Sequence, residues 1–182
     1  MGDVAMTIPV LRVFRHTYPE VELTVVSKPG LQPLFQDLEN TTFLPAEVYG
    51  KHKGLGLLQL AKEAKKLGVD AVADLHGVIR SKIITSYFSL QGVSTAAIDK
   101  GRSEKKALTN HPETLQRLPS THQRYADVFA KLGLPLQLKE HQYPNKEKLD
   151  TTLYSLIGKH TLKMIGIAPF AAYESKMYPL DL

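Results

Sequence analysis

Short apolar segments of strand type alternate with longer helical patterns through most of this 182-residue chain. Apolar and β-branched runs bounded by turn residues predict strands, whereas apolar residues spaced three and four apart predict helices. Strands separated by helices pair in parallel βαβ units. We therefore predict an α/β fold with a Rossmann-like open parallel sheet and helices on both faces. The predicted strands are 21–26, 42–44, 69–75 and 93–98, and the predicted helices between and after them are 31–38, 55–67, 78–90 and 120–132.

The chain begins with Gly2 and Asp3, directly before a helical pattern over residues 4–18 that Pro9 should kink or interrupt. Asp is among the preferred helix N-cap residues, so a capping role is sufficient to explain Asp3 taken alone. The functional alternative is that Asp3 lies at the rim of the sheet, where ligands bind in open α/β folds. A carboxylate in that position can act as a base.

Composition limits the kind of protein. The sequence has no cysteine, which excludes disulfides, thiolate metal sites and thiol nucleophiles and fits a reducing compartment. It contains neither an apolar run of the roughly 20 residues needed to span a bilayer nor a signal-peptide pattern. A formal net charge of +5 at pH 7 favours an anionic partner such as a phosphorylated sugar, a nucleic acid or a membrane surface.

Polar residues follow the predicted strand at 69–75. Asp74, His76 and Gly77 form the turn, and Arg80 comes one helical turn later. Asp74 can order the loop or accept a sugar hydroxyl, and Arg80 can clamp a phosphate. An Asp that satisfies the turn, beside a solvated Arg, is about equally plausible. His76 has no second imidazole nearby, so we expect no metal site here.

Two further segments carry positive charge. Arg102 and Lys105 lie in a polar passage, 99–119, for which the sequence predicts no regular structure. A solvated loop is the commoner explanation of such charge, and a phosphate-bearing partner is the functional one. Near the end of the sequence, an apolar strand at 164–168 enters a loop of small residues that reaches Lys176. Such a loop suits a diphosphate, although the spacing of a Walker loop is absent.

Four ordered blocks share one resemblance. They are Gly2-Asp3-Val4 with Thr7, Pro9 and Tyr18-Pro19; Asp74-Leu75-His76-Gly77 with Arg80-Ser81; His122, Arg124 and Tyr125 with 132–135; and 165–169 with Ser175-Lys176, Tyr178 and Pro179. Together they resemble the glycosyltransferase family 9 heptosyltransferases. That family usually reads Gly-Asp-Val, Thr-x-Pro and Tyr-Pro near its start and Lys-x-Trp-Pro in its second domain. The blocks extend over nearly the whole chain, which makes the resemblance specific.

The resemblance implies a GT-B enzyme of two Rossmann-like domains. Such an enzyme transfers a sugar, often heptose from ADP-heptose, to a lipopolysaccharide core acceptor with inversion. Residues 1–160 would form the N-terminal acceptor-side domain, and residues 161–182 would form the first strand and loop of the C-terminal nucleotide-sugar domain. Asp3 would be the catalytic base, and Lys176 would contact the diphosphate. No metal or other cofactor is implied, because the nucleotide sugar is a substrate.

The implied partners are a nucleotide sugar and a phosphorylated, membrane-borne acceptor. The resemblance therefore implies a cytoplasmic enzyme that acts at or near the cytoplasmic face of the inner membrane. We expect any association with that membrane to be peripheral. The residues expected to contact substrate, from their positive charge or their position after a strand, are Lys51, Lys53, Asp74, His76, Arg80, Arg102 and Lys105.

The sequence also departs from the family pattern. The family's first strand is absent before Gly2, Tyr178 stands where Trp is usual, and the sequence stops soon after Lys176. We therefore expect a truncated chain without transferase activity by itself. An empty central strand position leaves two unpaired sheet edges. The apolar segment 163–168 can fill that position in the same chain or, in a strand-exchanged dimer, from a second chain.

The main alternative is a non-catalytic α/β module that binds anionic ligands or nucleic acid through its basic surface. Against nucleic acid, the basic residues lack interleaved aromatics, and no nucleic-acid motif occurs. A second alternative keeps the transferase class and changes the donor sugar.

Overall fold

The computed structural model describes residues 1–110, 117–141, 143–144, 151–152, 171 and 173–178. The chain divides into two compact units, Met1–Tyr143 and Pro144–Leu182. Most of the described residues belong to the first unit. The predicted domain boundary at residue 160 and the predicted strand at 163–168 lie outside the described residues, so both stay predictions.

The first unit alternates helices and strands as the sequence predicts. Its helices are α1 (Gly2–Ala5), α2 (Ile8–Thr17), α3 (Gly56–Lys65), α4 (Ile79–Ser89), α5 (Arg102–Asn110) and α6 (Thr121–Lys131); its strands are β1 (Leu23–Ser27), β2 (Thr41–Pro45), β3 (Ala71–Asp74) and β4 (Ser94–Ala97). Short 3₁₀ segments cover Pro29–Phe35 and Leu138–Glu140.

The amino-terminal helical pattern is broken near Pro9, which confirms the sequence prediction. Pro9 lies in the first turn of α2, where its missing N–H costs nothing because no earlier carbonyl would have paired with it. The Thr7 hydroxyl donates to the Val4 carbonyl at 2.7 Å and closes the junction between α1 and α2. Helix α2 then buries one apolar face, including Val10 and Phe14.

The strands pair in parallel, β1 with β2 and β3 with β4. Ser27 and Pro45 are partners at the carboxyl end of the first pair, and Asp74 and Ala97 at that of the second. Among the described residues these pairs form two separate two-stranded sheets, as expected if the central strand position of the predicted open sheet is empty. The strand-exchange hypothesis remains a prediction, because the segment it requires is not among those residues.

Helices cover both faces of the strands, and the predicted α/β architecture is confirmed. One apolar cluster joins Phe14 of α2 and Phe129 of α6 to Val25 of β1 and Ala73 of β3, together with further residues. A second apolar cluster packs α3 and α4 against the opposite face of the strands, which is the face that Val72 of β3 contributes to. Adjacent strand residues point to opposite faces, which is why Val72 and Ala73 enter different clusters.

The passage without predicted structure contains α5, whose start is fixed by a buried arginine. Arg124 of α6 is 7% exposed, its Nη1 donates to the Asp99 carbonyl at 3.2 Å, and its Nη2 lies 2.5 Å from Glu104 Oε2. Gly101 lies against this guanidinium with a φ of +59°. The sequence gives no local sign of this packing, because the partners are far apart along the chain.

Replacing Gly101 by Ala is expected to lower the free energy of unfolding by about 3 kcal/mol. A positive φ costs an L-residue about 1 kcal/mol, and the new Cβ would overlap the held Arg124 guanidinium, an overpacking cost of about 1–3 kcal/mol. Gly54→Ala is the matched control, because Gly54 has a φ of +58° and nothing within 4 Å of its Cβ position. We expect Gly54→Ala to lower the free energy of unfolding by about 1 kcal/mol. Urea denaturation of both variants measures the two losses. Equal losses would contradict the packing role of Arg124.

Candidate functional site

The buried carboxylate of Asp74 organises the turn between β3 and α4. Asp74 is 5% exposed, and its Oδ1 accepts the backbone N–H groups of His76 at 2.9 Å and Gly77 at 2.8 Å. Its Oδ2 accepts the Ser81 hydroxyl at 2.8 Å, and the Ser81 oxygen accepts the Val78 N–H at the start of α4. Asp74 therefore orders the turn, while His76 is exposed beside it.

Arg80 lies next to an aromatic residue, Tyr49, that no sequence motif marks as functional. The guanidinium carbon of Arg80 is 5.3 Å from the ring centroid of Tyr49, and the ammonium of Lys28 is 4.9 Å from the same centroid. Lys28 directly follows β1, Tyr49 follows β2, and Arg80 follows β3. The available signal was their position after the carboxyl ends of parallel strands, where open α/β sheets bind ligands. We call Lys28, Tyr49 and Arg80 the Tyr49 cluster.

The two cations of the Tyr49 cluster act on the tyrosine hydroxyl. A hydrogen bond with Arg80, followed by the positive charges of Lys28 and Arg80, holds the pKa of Tyr49 below its usual value of 10.0. Tyr49 is 72% exposed, and both cations are also exposed. The cluster is therefore a positively charged surface with an aromatic ring at its centre.

Asp3 is exposed and lies beside Tyr125 of α6. The Tyr125 hydroxyl donates to the backbone carbonyl of Asp3 at 3.2 Å. Burial raises the pKa of Tyr125, and the negative charge of Asp3 raises it further. The capping explanation for Asp3 is wrong, because Met1 occupies the N-cap position of α1 and makes no side-chain capping bond.

The basic loop before α3 is tied together by acidic partners. Lys51 Nζ lies 3.8 Å from both Glu47 Oε1 and Glu63 Oε2. His52 is fully buried; its Nδ1 accepts the Glu47 N–H at 3.0 Å, and its Nε2 lies 3.3 Å from Glu63 Oε2. The charge of Lys51 is thus balanced locally, whereas Lys53 is simply exposed in the same loop.

The remaining predicted site residues lie on other elements. Arg102 and Lys105 are exposed on α5, and within the described residues no hydrogen bond or ion pair links them to the Tyr49 cluster. Lys176 belongs to the second unit, where it ends the 3₁₀ turn Glu174–Lys176 with its ammonium 5.5 Å from the ring of Tyr173.

An open apolar groove runs along α3 and α4. Its lining residues are Leu58, Ile79, Lys82, Ile83, Ser86, Tyr87 and Leu90. Ile79 and Leu90 are 80% and 89% exposed. Exposed apolar residues gathered in one groove are uncommon on a surface that contacts only water, so the groove is a candidate contact surface.

Neither a metal centre nor a membrane span is found among the residues that the structure describes. Within them, no group of three or more His, Cys, Asp or Glu residues could hold a metal ion. No helix in this part of the chain is long and apolar enough to cross a bilayer.

Comparison with known proteins identifies a related fold. No protein-family model matches the chain, and no curated protein matches it. A crystal structure of the glycosyl transferase family 9 from Veillonella parvula DSM 2008 matches with a TM-score of 0.69 and 22% sequence identity. This chain has a GT-B-like α/β fold. The match covers 100% of this chain and 54% of the Veillonella parvula chain, so the chain spans about half of that structure.

Proposed function

We propose that this chain forms the acceptor-binding side of an inverting glycosyltransferase of family 9. The observation that carries the proposal is that the four motif blocks occur, in order, in a chain that shares its fold along its whole length with a family 9 structure. A shared fold alone does not specify a reaction. The motif residues point to a reaction, because they include the exposed carboxylate of Asp3 and the exposed guanidinium of Arg80.

In this proposal Asp3 takes the proton from the acceptor hydroxyl as the sugar is transferred. Inversion at the anomeric carbon requires one base on the acceptor side and positive groups for the leaving diphosphate. The exposed Asp3 carboxylate is available for the first task, and the bond from Tyr125 to the Asp3 backbone fixes the helix that carries it. Lys176 would serve the second. The resemblance favours ADP-heptose as donor and a lipopolysaccharide core as acceptor, with no metal or other cofactor.

The apolar groove supports a peripheral membrane contact for the same enzyme. Helices α3 and α4 carry the lysines Lys62, Lys65 and Lys82 and one acidic residue, Glu63. Exposed aliphatic side chains next to lysines fit an anionic lipid surface, where apolar burial and charge attraction add. We therefore expect the chain to sediment with anionic phospholipid vesicles and much less with zwitterionic ones. Equal sedimentation with both would contradict the proposed charge contribution.

The acceptor proposal is tested by calorimetric titration of the chain with a deacylated, phosphorylated lipopolysaccharide core saccharide. We expect that saccharide to bind about 10-fold or more tightly than the same saccharide after phosphatase treatment, because phosphate–cation hydrogen bonds are lost. A single-stranded oligonucleotide is the second ligand. Equal or tighter oligonucleotide binding that falls steeply with salt would contradict the proposal and favour the non-catalytic module.

A further inference from the structure

The cations of the Tyr49 cluster face an aromatic ring, whereas three other basic residues of the first unit face an acid. Arg12, Lys51 and Arg124 have carboxylate oxygens at 3.3, 3.8 and 2.5 Å. Among the described residues, neither Lys28 nor Arg80 has a carboxylate within 4 Å. Two unneutralised cations on one aromatic ring repel each other unless an anion joins them.

The positions of the three residues along the chain also suit a ligand site. Its three side chains come from three separate loops, each after the carboxyl end of a different parallel strand. The contact of Arg80 with Tyr49 brings the end of β3 to the loop after β2, and the contact of Lys28 adds the end of β1. The carboxyl ends of parallel strands form the usual ligand edge of an open α/β fold.

We propose that the Tyr49 cluster binds a phosphate group carried by the saccharide acceptor. Lys28 and Arg80 donate to the phosphate oxygens, and the Tyr49 ring holds the two cations at the edge of the site. This inference rests on the proposed acceptor role and assigns one substrate feature to named residues.

A phosphate monoester fits this set of groups for two chemical reasons. It carries nearly two negative charges at neutral pH and three acceptor oxygens, so one group can accept from a guanidinium and an ammonium together. Arg80 offers a planar pair of donors and Lys28 a compact charge, a combination that phosphate oxygens can satisfy. The lowered pKa of Tyr49 is consistent with a positive field that reaches its exposed hydroxyl.

The test measures binding of the phosphorylated core saccharide to four forms of the full chain. Lys28→Ala and Arg80→Ala are each expected to weaken binding about 5–10-fold. Lys131→Ala removes the same charge from an exposed position at the end of α6 and is expected to change affinity less than 2-fold. Because Lys28 and Arg80 are exposed, urea denaturation should give all three variants the stability of the wild type.

Separate outcomes distinguish this inference from the acceptor proposal. If Lys28→Ala and Arg80→Ala bind the phosphorylated saccharide as the wild type does, the cluster assignment is overturned and the acceptor proposal stands. An equal loss for Lys131→Ala would also overturn the assignment, because net charge would then explain it. If the two variants lose affinity for inorganic phosphate, while the saccharide binds no more tightly than phosphate itself, the phosphate site stands and the acceptor proposal fails.

A vesicle experiment separates the two possible sources of the phosphate. Vesicles containing phosphatidylglycerol present a lipid phosphate without a core saccharide. We expect Lys28→Ala and Arg80→Ala to sediment with such vesicles nearly as the wild type does. A loss confined to vesicle binding, with saccharide affinity unchanged, would overturn the proposal in favour of a lipid headgroup site.

Discussion

Asp3→Asn is expected to slow sugar transfer about 100-fold or more, because a general base contributes about 10²- to 10⁴-fold to such a reaction. The amide keeps the shape of the carboxylate and can hydrogen-bond the acceptor hydroxyl, but it cannot remove the proton. The substitution should leave the fold unchanged, since Tyr125 bonds to the backbone carbonyl of residue 3 and the side chain is exposed. The loss should therefore appear in turnover.

The measurement uses a chimaera in which this chain is joined to the part of the Veillonella parvula protein outside the match. Product is detected by mass spectrometry with ADP-heptose and a lipid A-linked acceptor. Asp70→Asn is the control. Asp70 is an exposed carboxylate just before the amino end of β3, whereas ligands of open α/β folds bind at the carboxyl ends of the strands. We expect Asp70→Asn to change the rate of sugar transfer less than 2-fold. A chimaera without activity would contradict the acceptor-side proposal, and an Asp3→Asn form that keeps a fifth of the rate would remove Asp3 from the role of base.

Asp74→Ala is expected to lower the free energy of unfolding by about 4 kcal/mol. The carboxylate accepts two backbone N–H groups and one hydroxyl in a buried turn, and hydrogen bonds to a charged group contribute about 1.5–3 kcal/mol each without being additive. Alanine would leave these donors without their partner, next to a small cavity. Urea denaturation gives the change.

Asp74→Asn is the matched control for this substitution. Its amide oxygen can accept the N–H groups of His76 and Gly77, and its NH₂ group can donate to the Ser81 oxygen. We expect a loss of only about 1 kcal/mol, from the weaker neutral hydrogen bonds. If Asn costs as much as Ala, the negative charge of Asp74 matters more than the shape of the turn, and the structural role described for it is incomplete.

Most of the regular structure of the first unit could be predicted from the sequence. Strands β1 to β4 each overlap a predicted segment, with ends that differ by one or two residues, because their apolar and β-branched residues mark them locally. The break at Pro9 follows from the chemistry of one residue. Helix α5 was missed, since it buries no residue and so lacks an apolar face.

The candidate site was predicted in part. The sequence selected Asp74 and Arg80 from their position after a strand, and their contacts bear out an ordered turn with a basic residue beside it. Lys28 and Tyr49 were not selected, because their significance lies in contacts with Arg80 across separate loops. The burial of Arg124 against Gly101 was missed for the same reason.

By itself, then, the sequence determined the alternation of strands and helices, the break at Pro9 and the polar turn after β3. Each of these depends on residues within about four positions of one another, so a local pattern specifies them. Only the tertiary structure decided that Lys28 and Arg80 share the ring of Tyr49 and that Tyr125 holds the backbone of Asp3. These contacts join residues from 21 to 122 positions apart, and it is the packing of helices on both faces of the strands that brings them together.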